Sequence, residues 1–249
     1  MSAPAIKTID LHYRIGGKPI LSGVNLEVHP GEAVSIMGSS GSGKTTLLRC
    51  ISGLIQPTSG EIWVEGIEIS RLSERDKLQI RRKLGIVFQY AALFDYLTVY
   101  ENVAFGVERL SKPAKGKIAQ IVQERLAWVG LEGTESLYPS ELSGGMRKRV
   151  GLARALATDP DIVLFDEPTS GLDPVTGFQI DSLIARLKRE LGLTAVVVSH
   201  DVASVMRVSD RVAMLSDGVV AAEGTPQEIH SSDHPQVRSF MQAASATVL

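Results

Sequence analysis

The sequence is short of several things, and each shortage closes a route. There is one cysteine, Cys50, in 249 residues, so no internal disulfide can form. It sits in the apolar run after a Gly-rich loop, where a buried, reduced thiol and a cytosolic compartment fit. No apolar run approaches the ~18 residues that cross a bilayer, so work at a membrane requires another chain to span it. The opening "MSAPAIKTIDLHY" lacks both a charged leader and an apolar core, and does not read as a secretory signal. Aromatic residues make up only 5% of the chain and hydrophobic ones 44%, an ordinary globular balance. The formal charge of −2 offers no basic excess for nucleic acid. Internal repeats, long linkers and low-complexity tracts are missing too.

What is there predicts an α/β protein. "IKTIDLHYRIGGKPILSGVNLEV" alternates apolar and polar residues around Gly16-Gly17, a β-hairpin pattern. "AVSIMG" is a short buried strand, and "GKTTLLRCISGL" continues as a helix. "GEIWVEGIEI" adds a strand pair, and "LGIVFQ" another buried strand. Between them, Ser73 to Lys83 is strongly charged, with apolar Leu78 and Ile80, and predicts a solvated helix. From about Tyr90 to Ser143 the pattern is helical, with a polar break at "SKPAKGKI". "DIVLFDEP" and "TAVVVSH" are continuous apolar runs, so both faces of those strands must be covered, as in a parallel sheet between helices. "RVAMLSDGVVAAEG" returns to a hairpin, and "TPQEIH" opens a helix with a threonine cap and proline at its first position. The last five or so residues read as loose. The expected architecture is an α/β core with an antiparallel β portion, interrupted by a helical insertion.

"GSSGSGKT", Gly38 to Thr45, fits G-x-x-x-x-G-K-[ST] with a strand before it and a helix after it. Glycines let successive backbone N–H groups converge on phosphate, and the helix start adds its dipole. Gly38, Ser39, Ser40, Gly41, Ser42, Gly43, Lys44, Thr45 and Thr46 are therefore candidate nucleotide contacts. Lys44 would reach the β- and γ-phosphates, and the Thr45 hydroxyl would ligate Mg2+. The alternative is a flexible Gly/Ser turn that caps a helix.

"IVLFDE" places Asp166 and Glu167 at the C-terminal end of a buried strand, the edge where parallel α/β sheets bind ligands. Asp166 is assigned to Mg2+, directly or through water, and Glu167 to the general base for an attacking water. The competing reading is an acidic turn before Pro168. His200 also ends a strand, and from there could reach the γ-phosphate or the water; the other four histidines read as structural or solvated. Gln89 ends "GIVF" in the same manner, where a neutral amide suits Mg2+ and water; alone it would read as a surface glutamine.

The order "GSSGSGKT", Gln89, "LSGGM", "IVLFDEP", "SGLD", His200 resembles ATP-binding cassette ATPases, from about Ile6 to about Gly224. The resemblance implies a P-loop NTPase, RecA-like α/β core with an antiparallel β subdomain and an inserted α-helical subdomain. The core would take in about 1–89 and 144–225, the helical part would begin over 90–143, and 226–249 would be a helical tail. It implies ATP and Mg2+ as ligands, hydrolysis coupled to transport, and a head-to-tail homodimer. In that dimer Ser143, Gly144 and Gly145 would contact the γ-phosphate of the partner's ATP. "SGLD", Ser170 to Asp173, would be the loop that crosses to the partner. Tyr13 would stack on adenine, with Arg14 assisting, although Tyr13 also reads as a strand-face residue.

Within the family, "LSGGMRKR" has Met146 where glutamine is commonest, and resembles the ATPases of Mla- and Mce-type lipid transporters. "YAALFDYLTVYENVAFGV" and "HPQVRSFMQ" share that resemblance. The implied partners are separate permease subunits docking near Gln89 and the helical part, with further lipid-binding or small accessory subunits. The implied place is the cytoplasmic face of the inner membrane, or an organelle equivalent. Leu93, Phe94 and Leu97 read equally as a docking groove or as packing inside the insertion. Rival readings are an ATPase for a polar solute such as amino acids, a soluble cassette protein of repair or translation, and a nucleotide-binding regulator without turnover.

The helix after Ser143 opens on Arg147, Lys148 and Arg149, although a helix start prefers anions. On a helical wheel Met146, Val150, Ala153 and Ala157 share a packing face, with Arg147 and Arg154 together on its flank. Arg147 reads as positive potential near phosphate or as half of an ion pair. Lys148 points away and reads as ordinary solvated charge.

Overall fold

The computed structural model describes residues 3–110 and 115–246. Residues 111–114 of the predicted polar break, and the last three of the predicted loose end, lie outside the described residues.

β1 (Ile6–Ile15) and β2 (Lys18–Val28) form the expected hairpin about Gly16-Gly17. β3 (Ala33–Met37), buried throughout, feeds the Gly-rich loop and α1 (Lys44–Ile51). β4 (Ser59–Val64) and β5 (Ile67–Glu68) are the next antiparallel pair. α2 (Glu74–Arg81) follows, capped by the Ser73 side chain, and then β6 (Leu84–Val87). α3 (Val99–Leu110), α4 (Lys115–Trp128) and a single 3-10 turn (Pro139–Glu141) lead to α5 (Gly144–Leu156). β7 (Ile162–Asp166), α6 (Pro174–Leu191), β8 (Thr194–Ser199) and α7 (Val202–Val208) alternate from there. β9 (Arg211–Ser216) and β10 (Val219–Gly224) make the last hairpin, before α8 (Pro226–His230) and α9 (Pro235–Ala246). Thr225 caps α8 in a reciprocal box with Glu228, with Pro226 at the first position, as its residues predict.

Two sheets result. The antiparallel one has the order β2-β1-β4-β5, and the larger one β10-β9-β3-β8-β7-β6. Every pairing from β9 through β3, β8 and β7 to β6 is parallel; β10 alone pairs antiparallel. Alternate residues of the central strands enter different cores. Val163, Phe165, Ala195 and Val197 face α3, α4, α5 and α6. Ile162, Leu164, Val196 and Val198 face the β-hairpin side and α1. That two-sided burial is why "DIVLF" and "TAVVVS" are apolar without interruption.

One expectation changes in α2. It is not wholly solvated, because Ile80 and Lys77 are buried. The Lys77 Nζ donates to Gln56 Oε1 at 2.7 Å and to Glu74 Oε1 at 3.1 Å, so the stem packs while the charge is paired.

Candidate active site

Strand order builds the site. β3, β8, β7 and β6 lie side by side and parallel, so their C-terminal ends share one edge. The register aligns Met37 with Ser199, Val198 with Asp166, and Phe165 with Val87. The Gly-rich loop, His200, Glu167 and Gln89 each lie within two residues of those positions. They converge on a cleft of about 750 Å³ lined by Ser39, Lys44, Thr45, Gln89, Glu167 and His200, together with Ser40, Gly41, Gly43 and Thr46.

The loop wraps closely. A Cβ at Gly38 would stand 2.2 Å from the Leu215 carbonyl oxygen and 2.9 Å from Ser42 Oγ, so only glycine fits. The Lys44 ammonium is buried and donates to the Gly38 and Ser39 carbonyls at 2.8 and 2.9 Å. Burial lowers its pKa, while the charges of Glu167 and Asp166 oppose that shift. The Thr45 hydroxyl donates to Asp166 Oδ1 at 3.0 Å. Ser42 Oγ is buried beneath the loop without a protein partner, and α1 has no acidic residue in its first turn. An unspent hydroxyl, a cation and an uncompensated helix start suit phosphate. Thr45 and Asp166 supply adjacent oxygens, with Gln89 on the same cleft, a donor set for a hard cation such as Mg2+ that takes its other ligands from phosphate and water.

Glu167 has φ +49°, the left-handed region, in a residue that is not glycine. Its N–H donates to the Val198 carbonyl at 2.9 Å, and its own carbonyl accepts from Ser170 N at 3.1 Å. Strain of this kind is held by surrounding structure and clusters at reacting centres. The side chain meets Nδ1 of His200 at 2.8 Å. Contact with an ionised carboxylate, which can only accept, requires the ring form in which Nδ1 donates. The Gln89 amide donates to Ser170 Oγ at 3.2 Å, joining the β6 end to the "SGLD" loop.

Other expected residues lie elsewhere. Tyr13 does not line the cleft: its ring packs, half-buried, against the core between the two sheets. The walls are Ile15 and Ile20 on one side, and Phe240, Ala243 and Ala244 of α9 on the other. The available sequence signal for that wall was apolar Ile15 directly before the Gly16-Gly17 turn, a residue that the fold leaves 58% exposed. Nothing local in "RSFMQAA" tells that α9 folds back to the phosphate loop. Ser143, Gly144 and Gly145 are likewise outside this cleft; Ser143 is an exposed N-cap whose Oγ accepts from Met146 N.

The basic run also needs correction. Lys148 does not point to solvent. It is only 7% exposed, and its Nζ donates to the carbonyls of Gln89 and Glu167. Burial brings its pKa down to about 8, against the pull of Glu167 and Asp166. The helical wheel gave its direction but not what stands there, namely the ends of β6 and β7. Arg147 donates to the Leu142 carbonyl at 2.5 Å, and Arg149 to that of Val129 at 2.8 Å. Leu93, Phe94 and Leu97 are half-buried, with the Phe94 and Phe105 rings tilted against each other at 4.5 Å; Tyr90 and Tyr96, at 83% and 74%, are more exposed than Phe88, the aromatic residue before Gln89.

Comparison with known proteins agrees with this geometry. The ABC transporter family model matches residues 21–170. The intermembrane phospholipid transport system ATP-binding protein MlaF of Haemophilus influenzae is 42% identical over 245 residues, covering 98% of this chain and 93% of that protein. The methionine import ATP-binding protein MetN of Carboxydothermus hydrogenoformans is 43% identical over 239 residues, covering 95% and 70%. A solved ATP-binding cassette, dimeric in a post-hydrolysis state with ADP and Pi, superposes at TM-score 0.81 with 38% identity over 89% of this chain and 98% of that one. A phosphate loop, an acidic strand end and a family match that spans both make the chain a member of the ABC transporter family, an ATPase subunit that uses ATP and Mg2+.

Proposed function

We propose that this ATPase drives the movement of phospholipid or another lipid, of the Mla or Mce type, through separate membrane-spanning subunits. The observation that carries the reading is likeness to a phospholipid-transport ATPase over 98% of this chain and 93% of that relative. The "LSGGMRKR" start of α5 supports it. Among the described residues no helix is long and apolar enough to cross a membrane, so the path for lipid belongs to other chains. The assembly would sit on the cytoplasmic face of the inner membrane.

The residue roles are part of the proposal. Lys44 turns from its loop carbonyls to the β- and γ-phosphates. Thr45, Gln89 and Asp166, the last directly or through water, would hold Mg2+, whose charge would offset that of the phosphate oxygens. Glu167 takes the proton of the attacking water, and His200 fixes the carboxylate through Nδ1. Ser143, Gly144 and Gly145 act on the ATP of a second copy. An exposed cap on a helix with no acidic residue in its first turn, set apart from its own chain's cleft, favours that arrangement. ATP binding closes the homodimer, hydrolysis reopens it, and the difference in affinity between the two states does the coupling. Tyr90 and Tyr96 offer the permease an exposed aromatic surface beside Gln89.

A methionine importer relative at 43% identity favours a second reading, transport of a polar solute such as an amino acid. Affinity purification from native membranes separates the two. Copurifying permease chains with bound phospholipid, and ATP-dependent lipid transfer in vesicles, are expected. A complex free of lipid whose ATPase responds to an amino acid would overturn the lipid reading.

A further inference from the structure

Two cations of α5 hold a strained loop rather than face water. Lys148, Gly151 and Arg154 lie on one arc, with Gly151 about 60° from each at ~100° per residue. Lys148 Nζ donates to the Gln89 carbonyl and, at 3.2 Å, to the Glu167 carbonyl. Arg154 donates to the carbonyls of Ala91 and Ala92 at 2.6 and 2.7 Å. Between the two cations, a Cβ on Gly151 would stand 3.3 Å from Ala91 Cβ, so the loop rests directly on the helix there. Ala91 and Ala92 have φ of +58° and +47°, consecutive left-handed residues that persist only where their surroundings enforce them. Here this face of α5 supplies part of those surroundings, beside the bond from Ala91 N–H to the Phe88 carbonyl at 2.9 Å.

We propose that Lys148 is a positioning residue for hydrolysis: its ammonium ties the main chain at Gln89 and at Glu167 to the helix that begins at Ser143. Arg154 completes the clamp on the turn that follows Gln89. This rests on the reading in which Gln89 and Glu167 act on ATP. An ammonium suits the task, with three donors and no acceptor to satisfy. The Glu167 carbonyl also accepts from Ser170 N, so losing Lys148 loosens that strand end without stripping it of every partner. A helix whose first residues face a second copy thereby sets the geometry of its own chain's base, although no α5 side chain lines the cleft.

The test measures Mg-ATP hydrolysis by the full chain as Lys148→Met, which keeps length without donors, and as Lys148→Gln, which restores an N–H donor. Lys148→Met is expected to lower kcat at least about tenfold with KM within about threefold, the pattern of lost orientation. Lys148→Gln is expected to recover most of that kcat at an unchanged thermal midpoint. An unchanged kcat in Lys148→Met would overturn the proposal. So would a parallel fall of kcat and thermal midpoint in both variants, which would make the lysine a packing element. Glu167→Gln in the same assay keeps the readings apart: native-like turnover there sinks the base assignment itself, whatever Lys148 does.

Discussion

Nδ1 of His200 stands 2.8 Å from Oε2 of Glu167, across the ends of two neighbouring parallel strands. The carboxylate side chain is 12% exposed and the ring 61%, so the histidine is the outer, replaceable half of the pair. Its removal leaves the strand ends intact. His200→Ala is expected to reduce kcat by roughly two orders of magnitude, the scale of a displaced proton acceptor, with ATP affinity near native. Steady-state hydrolysis beside equilibrium nucleotide binding checks it; native kcat would exclude a role for the pair.

Glu167→Gln keeps the shape of the side chain and an acceptor oxygen, and loses the basicity. Turnover is expected to fall at least about a hundredfold while ATP binding persists. With hydrolysis blocked, a closed dimer should accumulate with ATP and Mg2+, visible as a doubled mass in size-exclusion light scattering.

Ser143 separates action on the chain's own nucleotide from action on a partner's. In a mixed dimer carrying Ser143→Arg on one subunit, the site built on the other subunit's Lys44 should fail. Site-specific nucleotide trapping reads which site is lost. Loss at the mutant subunit's own phosphate loop would refute the head-to-tail arrangement.

Cys50 is fully buried, and burial alone pushes its thiol pKa up to about 12. The thiolate is the reactive form, so native protein at pH 8 should resist alkylation by iodoacetamide over hours. Unfolding in guanidinium should give prompt stoichiometric modification by mass. Fast reaction of the native chain would show that α1 opens readily.

The chemistry of the cleft was legible because each part is local. A strand, a Gly-rich loop and a helix are consecutive in "AVSIMGSSGSGKTTLL", and the carboxylates follow directly on a buried run. Uninterrupted hydrophobicity also put those strands in the centre of a parallel sheet, while their neighbour order came from the tertiary structure. Where Tyr13 stands was not legible, because alternation along β1 says which residues share a face, not which wall a hairpin tip presents to a ligand. Its half-buried ring packs against the core, and Ile15 and Ile20 line the cleft.

Lys148 marks the boundary most clearly. By itself the sequence determined that Ser143 opens a helix, that two glycines follow, and that three cations crowd its first turns. It placed the phosphate loop, the acidic strand end and His200 on one sheet edge. Which cation meets water was decided only by the tertiary structure. A charged side chain is solvated unless distant chain supplies partners, and the carbonyls that receive Lys148 lie 59 and 19 residues away. They reach it because β6 and β7 end side by side beneath α5, a crossing that no local pattern in "LSGGMRKRVGLARAL" encodes.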